Sequence, residues 1–399
     1  MYVWSNWSRN VKISARLIQP KLVEELNWLV DNCEFGLVGR GYSFNKEVYG
    51  EAPPVIVDLS RIERTLSIEE NLSEITVGPS VTLRDVAVET SKFGLQLNNY
   101  PSRLDFSVIG SIATGSHGSG ENACLSTMVK AFTLLEFKSG EIIELKRGSP
   151  QFTRSLILPF RTGIITSLTL QVSKSASYSR LAFGGLSSRD IPSLILMLAD
   201  QKLMFSVYLN LTDSERNSCI ITSFASDIEN KSMRIMNEFP GFFVGSLKSR
   251  GLRVERNENY SEIGSSHSLI PHSTQKLPLV GEELQSEYFF RVEDFQFVYF
   301  AIFEGLPDGI VRVIRSIELR YLEKSDCLFS PSYGVDVIGI HFTWRNDPPY
   351  IVSCLEKLEK VLLDSLKTRG EFMRVHWGKL FSGPISDWFG TFDVEGKVT

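Results

Sequence analysis

Between Gly110 and Gly120 the chain reads GSIATGSHGSG, four glycines in eleven residues with one histidine, His117, among side chains that are nearly all small. Glycine admits positive φ and lets backbone approach a bulky group closely. Successive exposed N–H groups then form a concave nest that suits phosphate oxygens. A short apolar lead-in (Phe106, Val108, Ile109) precedes the loop, and a second glycine loop, VGRGYS, spans 38–43. Neither loop has the G-x-x-x-x-G-K-[ST] form of a P-loop, and neither is a clean G-x-G-x-x-G between strand and helix. Either one alone reads as a tight turn with no ligand. Two of them in one half of the chain, each led into by a strand-like run, point to a cradle for a pyrophosphate.

The rest of the chain has the means to carry such a site. Its 399 residues are 43% hydrophobic and 22% charged, which suits two or three globular domains. The net charge is −5 and no Lys/Arg stripe is present, so neither nucleic acid nor an anionic membrane is an expected partner. The five cysteines show no C-x-x-C spacing, which leaves neither a zinc site nor a disulfide framework to expect. The start, MYVWSNWSRN, lacks an apolar signal-peptide core, and no run approaches the about 18 apolar residues of a membrane helix. A cytoplasmic protein is expected.

Periodicity predicts a helix over PKLVEELNWLVDNC, strands at FGLVG, PPVIVDLS and SEITV, and an amphipathic helix over LRDVAVETSKFGL closing on Gly94. VKAFTLLEFKSGEIIEL reads as a hairpin turning at Ser139-Gly140, and TGIITSLTLQV as an apolar strand. After SKSASYSR, near residue 173, the texture changes to longer phenylalanine-rich segments. SEYFFRVEDFQFVYFAIFEGL and YIVSCLEKLEKVLLDSLKTRG contain helices, whereas DGIVRVIRSIELRYL and VDVIGIHFTWR read as strands. The expected fold class is α+β with two domains.

VGRGYSFN, ITVGPSVTLRDVAVET, SVIGSIATGSHGSG and FRTGIITSLTLQV together resemble the FAD-binding (PCMH-type) domain of the vanillyl-alcohol oxidase superfamily. Within it the chain is similar to the alditol (xylitol/sorbitol) oxidases and their aldonolactone-oxidase sisters. GEELQSEYFF, SIELR, LFSPSYG, IHFTW, HWGKLF and the closing DVEGKVT carry the likeness through the second half, with a weak stretch around 176–275. The resemblance implies an FAD-binding domain over 1–173 completed by the tail 376–399, and a substrate-binding cap over 174–375. It implies FAD contacts from Gly39, Arg40, Gly41, Tyr42 and Ser43, and from Ser107, Gly110, Ala113, Thr114, Gly115, His117, Gly118 and Ser119 in the second loop and its lead-in. Gly163 and Ile165 would touch the adenine side through their backbone. For His117 a hydrogen bond to its own turn is the alternative.

Oxidising an alcohol on a flavin needs an acceptor for the hydroxyl proton and fixed orientation of the carbinol. Glu318 and Arg320 alternate on one strand face in IELR, and His341 and Thr343 do so in HFTW. By composition alone Glu318 and Arg320 read equally as a surface pair. The resemblance implies that both, with His341, Thr343, Lys379 and Ser107, line a pocket over the flavin. Glu318 and Arg320 would hold substrate hydroxyls, Lys379 would meet the reacting hydroxyl or reduced flavin, and His341 is the preferred proton acceptor. The implied activity is oxidation of a polyol, sugar or sugar-like alcohol, with O2 reduced to H2O2. The alternatives are a dehydrogenase with another electron acceptor and a non-catalytic flavin-binding protein. Two residues depart from the family pattern. Tyr42 stands where covalent members carry the FAD-linking histidine, so noncovalent FAD is expected. Ile109 stands where alditol oxidases usually place a small residue, and its bulk bears on access of oxygen.

Overall fold

The structure, a computed structural model, describes residues 2–50, 52–209, 211, 217–224, 247–248, 253–254, 261–269 and 283–392. The closing DVEGKVT lies outside the described residues.

Two sheets occupy the N-terminal part. Tyr2–Ser5, Lys12–Ile18, Val55–Asp58 and Phe35–Val38 form a four-stranded sheet in that spatial order. A five-stranded antiparallel sheet runs Leu66–Glu69, Glu74–Val77, Gly163–Gln171, Val129–Glu136, Ile142–Lys146. The helix Leu83–Lys92 begins in a capping box, with Thr82 and Asp85 each satisfying the other's backbone N–H. It buries Leu83, Val86, Ala87 and Thr90, and it ends just before Gly94, whose φ of 64° is the left-handed value such a stop requires. The expected hairpin turns through Gly140 at φ 68°.

The larger unit is an eight-stranded antiparallel sheet. Its order is Ser261–Gly264, Tyr178–Leu186, Asn217–Phe224, Met204–Leu209, Ile314–Leu322, Val337–Arg345, Glu283–Arg291, Arg374–Val375. Helices Phe295–Gly305 and Pro348–Asp364 pack on it. One expectation fails locally. DGIV, expected to open a strand, is instead a helical turn at Asp308–Val311. Pro307 precedes it with φ −59°, and Ile310 and Val311 both donate to the Pro307 carbonyl, so pairing begins only at Ile314.

One apolar cluster joins the two units, from Val86 and Ile109 through Trp377 to Ile340 and Leu358. The tail crosses the same boundary. Phe44 N–H donates to Gly378 O at 2.8 Å and Ile385 N–H to Glu47 on the N-terminal side, while Leu380 N–H donates to Gln285 O of the large sheet. Trp377 is fully buried at this junction, its indole N–H donating to Phe329 O at 2.7 Å. Trp377→Ala should therefore cost about 3–5 kcal/mol, the range for emptying a large core site. A urea midpoint lowered to that extent, and lowered much less in Trp377→Phe, is the expected result.

Candidate functional site

The two glycine loops meet at Ser107. A Cβ built on Gly39 would lie 2.9 Å from Ser107 Oγ, and one on Gly110 only 2.6 Å. Gly41 and Gly115 hold φ values of 67° and 72°. The first loop is anchored through its carbonyls: Trp7 N–H donates to Gly41 O, and Asn6 Nδ2 and Tyr49 OH donate to Ser43 O. Arg40 is exposed. In the second loop Thr114 Oγ1 donates to Gly110 O, and Ala113 O accepts from Leu158 N–H. Gly378 of the tail lies against both loops, its Cβ position 3.2 Å from Ser43 Oγ and 3.3 Å from Thr114. Gly163 and Ile165 open the strand behind the helix Val108–Ala113.

The far end of the second loop turns towards the large sheet. Gly118 packs so tightly on Asn99 that a Cβ would fall 1.9 Å from Asn99 Oδ1. Ser119 Oγ donates to Tyr321 O and accepts from Phe205 N–H, so its hydroxyl ties the loop to that sheet. His117 is buried, with Nδ1 2.9 Å from Gly118 O and Nε2 3.4 Å from Glu287 Oε1.

Strand register assembles the remaining residues. Glu287 pairs with His341, His341 with Glu318, and Glu318 with Tyr208, one cross-sheet row over four strands. Side chains in such a row share a face. Arg320 Nε and Nη2 both donate to Glu318 Oε1, at 2.8 and 2.7 Å. Burial raises the Glu318 carboxyl, but Arg320 and then His341 outweigh it and hold it down at about 2. Lys379 Nζ reaches up from the tail, 2.5 Å from Glu287 Oε2 and 2.7 Å from His341 Nδ1. His341 Nε2 is 3.2 Å from Thr343 Oγ1. Burial, and next the Lys379 charge, lower the basicity of His341 and of His376. Burial likewise lowers Lys379 despite Glu287 beside it, while Glu287, against its own burial, is held well below the usual carboxylate range by Lys379 and His117. His341, Thr343, Lys379, Glu318 and Arg320 thus come together where the tail meets the large sheet, whereas Ser107 Oγ lies against Gly39 and Gly110 of the two glycine loops.

Three polar residues here were not among the sequence candidates: Glu287, Tyr208 and His376. Glu287 had a signal, a single acid inside the apolar run of LQSEYFF. His117, Glu287 and His376 bring ligand-type atoms within 4.8 Å of one another. Gly378 N–H donates to His376 Nδ1, which places that neutral ring's proton on Nε2, and Lys379 already balances Glu287. Both features suit a proton network better than a divalent cation.

Tyr42 sits in a cage of its own. Its ring is 4.9 Å from that of Phe106 and 6.1 Å from that of Trp7, and the Arg103 guanidinium lies 5.0 Å from its centroid. Arg103 Nε and Nη2 and Trp7 Nε1 are buried without a hydrogen-bond partner among the described residues. Orphan donors beside a loop stripped of side chains fit a bound group carrying many acceptor oxygens and nitrogens, as FAD does.

A family model described as an FAD binding domain matches residues 15–146. The chain is an FAD-dependent oxidoreductase with the two-domain fold of the vanillyl-alcohol-oxidase type, related to oxidases of alditols and aldonolactones. It is 25% identical to the alditol oxidase of a Streptomyces species over 95% of this chain and 89% of that one. To the L-gulonolactone oxidase of Bos taurus it is 27% identical, over 42% of this chain and 40% of that protein. In fold it is similar to a xylooligosaccharide oxidase from Myceliophthora thermophila solved with xylobiose (TM-score 0.72, 11% identity, 95% and 86% of the two chains). A chitooligosaccharide oxidase matches with TM-score 0.71 at 11% identity, over 97% of this chain and 88% of that one. No helix among the described residues is long and apolar enough to cross a membrane.

The Glu318–Arg320 pair gives a test of this electrostatic arrangement. Arg320→Met strands a buried carboxylate and should cost about 3–5 kcal/mol at pH 7, most of it recovered in the double variant with Glu318→Gln. The penalty should shrink in acid, because Glu318 without its partner takes up a proton at higher pH. In the wild type, stability linked to Glu318 is present above its unfolded value of about 4.3 and lost as pH falls towards about 2. Urea titrations of the wild type, Arg320→Met and the double variant at pH 7 and pH 4.5 check both signs.

Proposed function

We propose that the protein oxidises a carbinol of a polyol, sugar or sugar-like alcohol, with noncovalent FAD as electron acceptor and O2 reduced to H2O2 to complete the cycle. The observation that carries this reading is the buried row of Glu318, His341 and Glu287, flanked by Arg320, Thr343 and Lys379, beside the two glycine loops. In this reading residues 1–173 with the tail from 376 form the FAD domain, and 174–375 form the cap. Gly39, Arg40, Gly41, Tyr42, Ser43, Ser107, Gly110, Ala113, Thr114, Gly115, His117, Gly118, Ser119, Gly163 and Ile165 hold the cofactor. Its pyrophosphate would be held between the two loops, although Thr114, Gly115 and Gly118 N–H already donate to the Gly110, Ile112 and Ala123 carbonyls.

FAD, when bound, supplies a two-electron acceptor. The protein's own part is orientation and proton handling. Arg320, fixed by Glu318, and Thr343 hold substrate hydroxyls, since an unpaired buried hydroxyl costs about 1–3 kcal/mol. The hydroxyl proton passes to the lone pair of His341 Nδ1 as the Lys379 ammonium turns its donor from that nitrogen to the substrate oxygen. The tail and the cap sheet close over most of these groups, leaving the side chains of His341 12% and Lys379 17% exposed.

Tyr42 supports noncovalent attachment. A phenol must lose its proton to act as a nucleophile, and Phe106, Trp7 and Arg103 around it accept none. Acid precipitation should release all FAD to the supernatant and leave a colourless pellet; a chain heavier by one FAD would overturn the assignment.

Anaerobic mixing with a panel of sugar alcohols, cyclitols and sugars tests the reaction. At least one should bleach the flavin. Lys379→Met and His341→Ala should slow that step about 10²–10⁴-fold while FAD stays bound. Full-rate reduction in His341→Ala would remove it as the proton acceptor. A second reading, a dehydrogenase with another electron acceptor, is favoured by one observation: Ile109, next to Val108 after Ser107, is 7% exposed and fills the core at this point. Ile109→Ala should speed reoxidation in air if its bulk limits oxygen.

A further inference from the structure

Glu287 is a carboxylate in an apolar strand, its side chain 1% exposed, between Ser286 and the fully buried Tyr288, Phe289 and Phe290. Oε2 accepts from Lys379, and Oε1 faces His117 Nε2 without a hydrogen bond of accepted geometry. Gly339 makes room for it: a Cβ there would lie 3.3 Å from Oε1. A buried carboxylate is costly unless it is paired, and here the pairing is to a lysine from a different part of the chain.

The hydrogen-bond directions carry the argument further. An ammonium only donates, so Lys379 Nζ at 2.7 Å requires a lone pair on His341 Nδ1. The neutral imidazole then carries its proton on Nε2, directed at Thr343 Oγ1. All of this holds only while Lys379 is charged. The other groups facing the pair are Glu318, Arg320, His117 and His376. Glu318 is matched by Arg320, and the histidines are not anions, so among the described residues Glu287 is the carboxylate that salt-bridges Lys379.

We infer that Glu287 is the positioning residue of this site. It holds Lys379 as a half-buried ammonium aimed at His341 Nδ1 and so fixes the tautomer of His341. The inference rests on the proposed function for its catalytic meaning, but the charge arrangement exists with or without a substrate.

The test uses the FAD-loaded enzyme and two measurements that need no turnover. In the first, Lys379 is acylated by acetic anhydride over a pH series, and the extent of reaction is read by mass spectrometry of its peptide. In Glu287→Gln the midpoint should fall by at least one pH unit, a tenfold loss of proton affinity. A smaller fall is expected in Glu287→Asp. FAD fluorescence and the urea midpoint verify that each variant is folded. An unchanged midpoint in folded Glu287→Gln overturns the inference. The second measurement leaves Glu287 unchanged: ¹⁵N NMR of histidine-labelled wild type should show, besides His376, a ring unprotonated at Nδ1 and protonated at Nε2 that is lost in His341→Gln. An Nδ1-protonated His341 overturns the inference equally. With an active substrate in hand, Glu287→Gln should also move the pH profile of flavin reduction by the same amount, which a purely structural role would not. Failure of every alcohol to reduce the flavin would instead sink the proposed function and leave the Lys379 midpoint as measured.

Discussion

The arrangement depends on charge placed in a largely desolvated junction. Glu287 and Lys379, and one row along Glu318 and Arg320, are two ion pairs sunk in the junction between sheet, loops and tail. Desolvating four charged groups is expensive, and the Coulomb gain repays it only where geometry is close and further hydrogen bonds take up the remaining donors and acceptors. Arg320 therefore makes two bonds to one carboxylate oxygen, and Lys379 divides its donors between Glu287 and His341. Phe289, on the same strand face as Glu287 and 5.3 Å from the His117 ring, adds apolar packing there. The site is rigid because every alternative leaves a bare charge.

The sequence made some of this legible and hid the rest for physical reasons. The glycine loops were readable because backbone freedom is written directly in residue type. Glu318 and Arg320, and His341 and Thr343, were readable as pairs because i and i+2 share a strand face whatever the fold. Glu287 was not, since its partners depend on the register between Glu283–Arg291 and Val337–Arg345, and register between strands some fifty residues apart is not encoded locally. Tyr208 was hidden in the same way, by pairing with a strand more than a hundred residues on. His376 reads as one of two buried-type residues in HW until Gly378 is seen to fix its tautomer. The helical turn at Asp308–Val311 was missed because apolar alternation continues unbroken into it, and only Pro307 marks the difference.

The Tyr42 cage shows how a local departure can be absorbed. Arg103 lies within 6 Å of three rings, Trp7, Tyr42 and Phe106, and cation–π attraction holds its head while two of its donors stay unspent. The Tyr42 ring thus belongs to a packed unit with its own electrostatics. Its neighbours come from the chain start, the first glycine loop and the lead-in to the second, so the cage also fixes the two loops relative to each other.

The bond from Ile385 N–H to Glu47 spans 338 residues of sequence, and Phe44 to Gly378 nearly as many. Contacts of that separation are slow to form, because loop closure must come before any return in energy. On a ribosome the glycine loops and seven of the eight strands of the large sheet emerge well before Lys379, so the Glu287–Lys379 pair gains its lysine late. Until then Glu287 faces the interior without its counter-charge, and the half-built junction is at its least stable. Emergence of Lys379 is itself the step that gives Glu287 its counter-charge, and a nascent polypeptide carries the loops for some time without that pair.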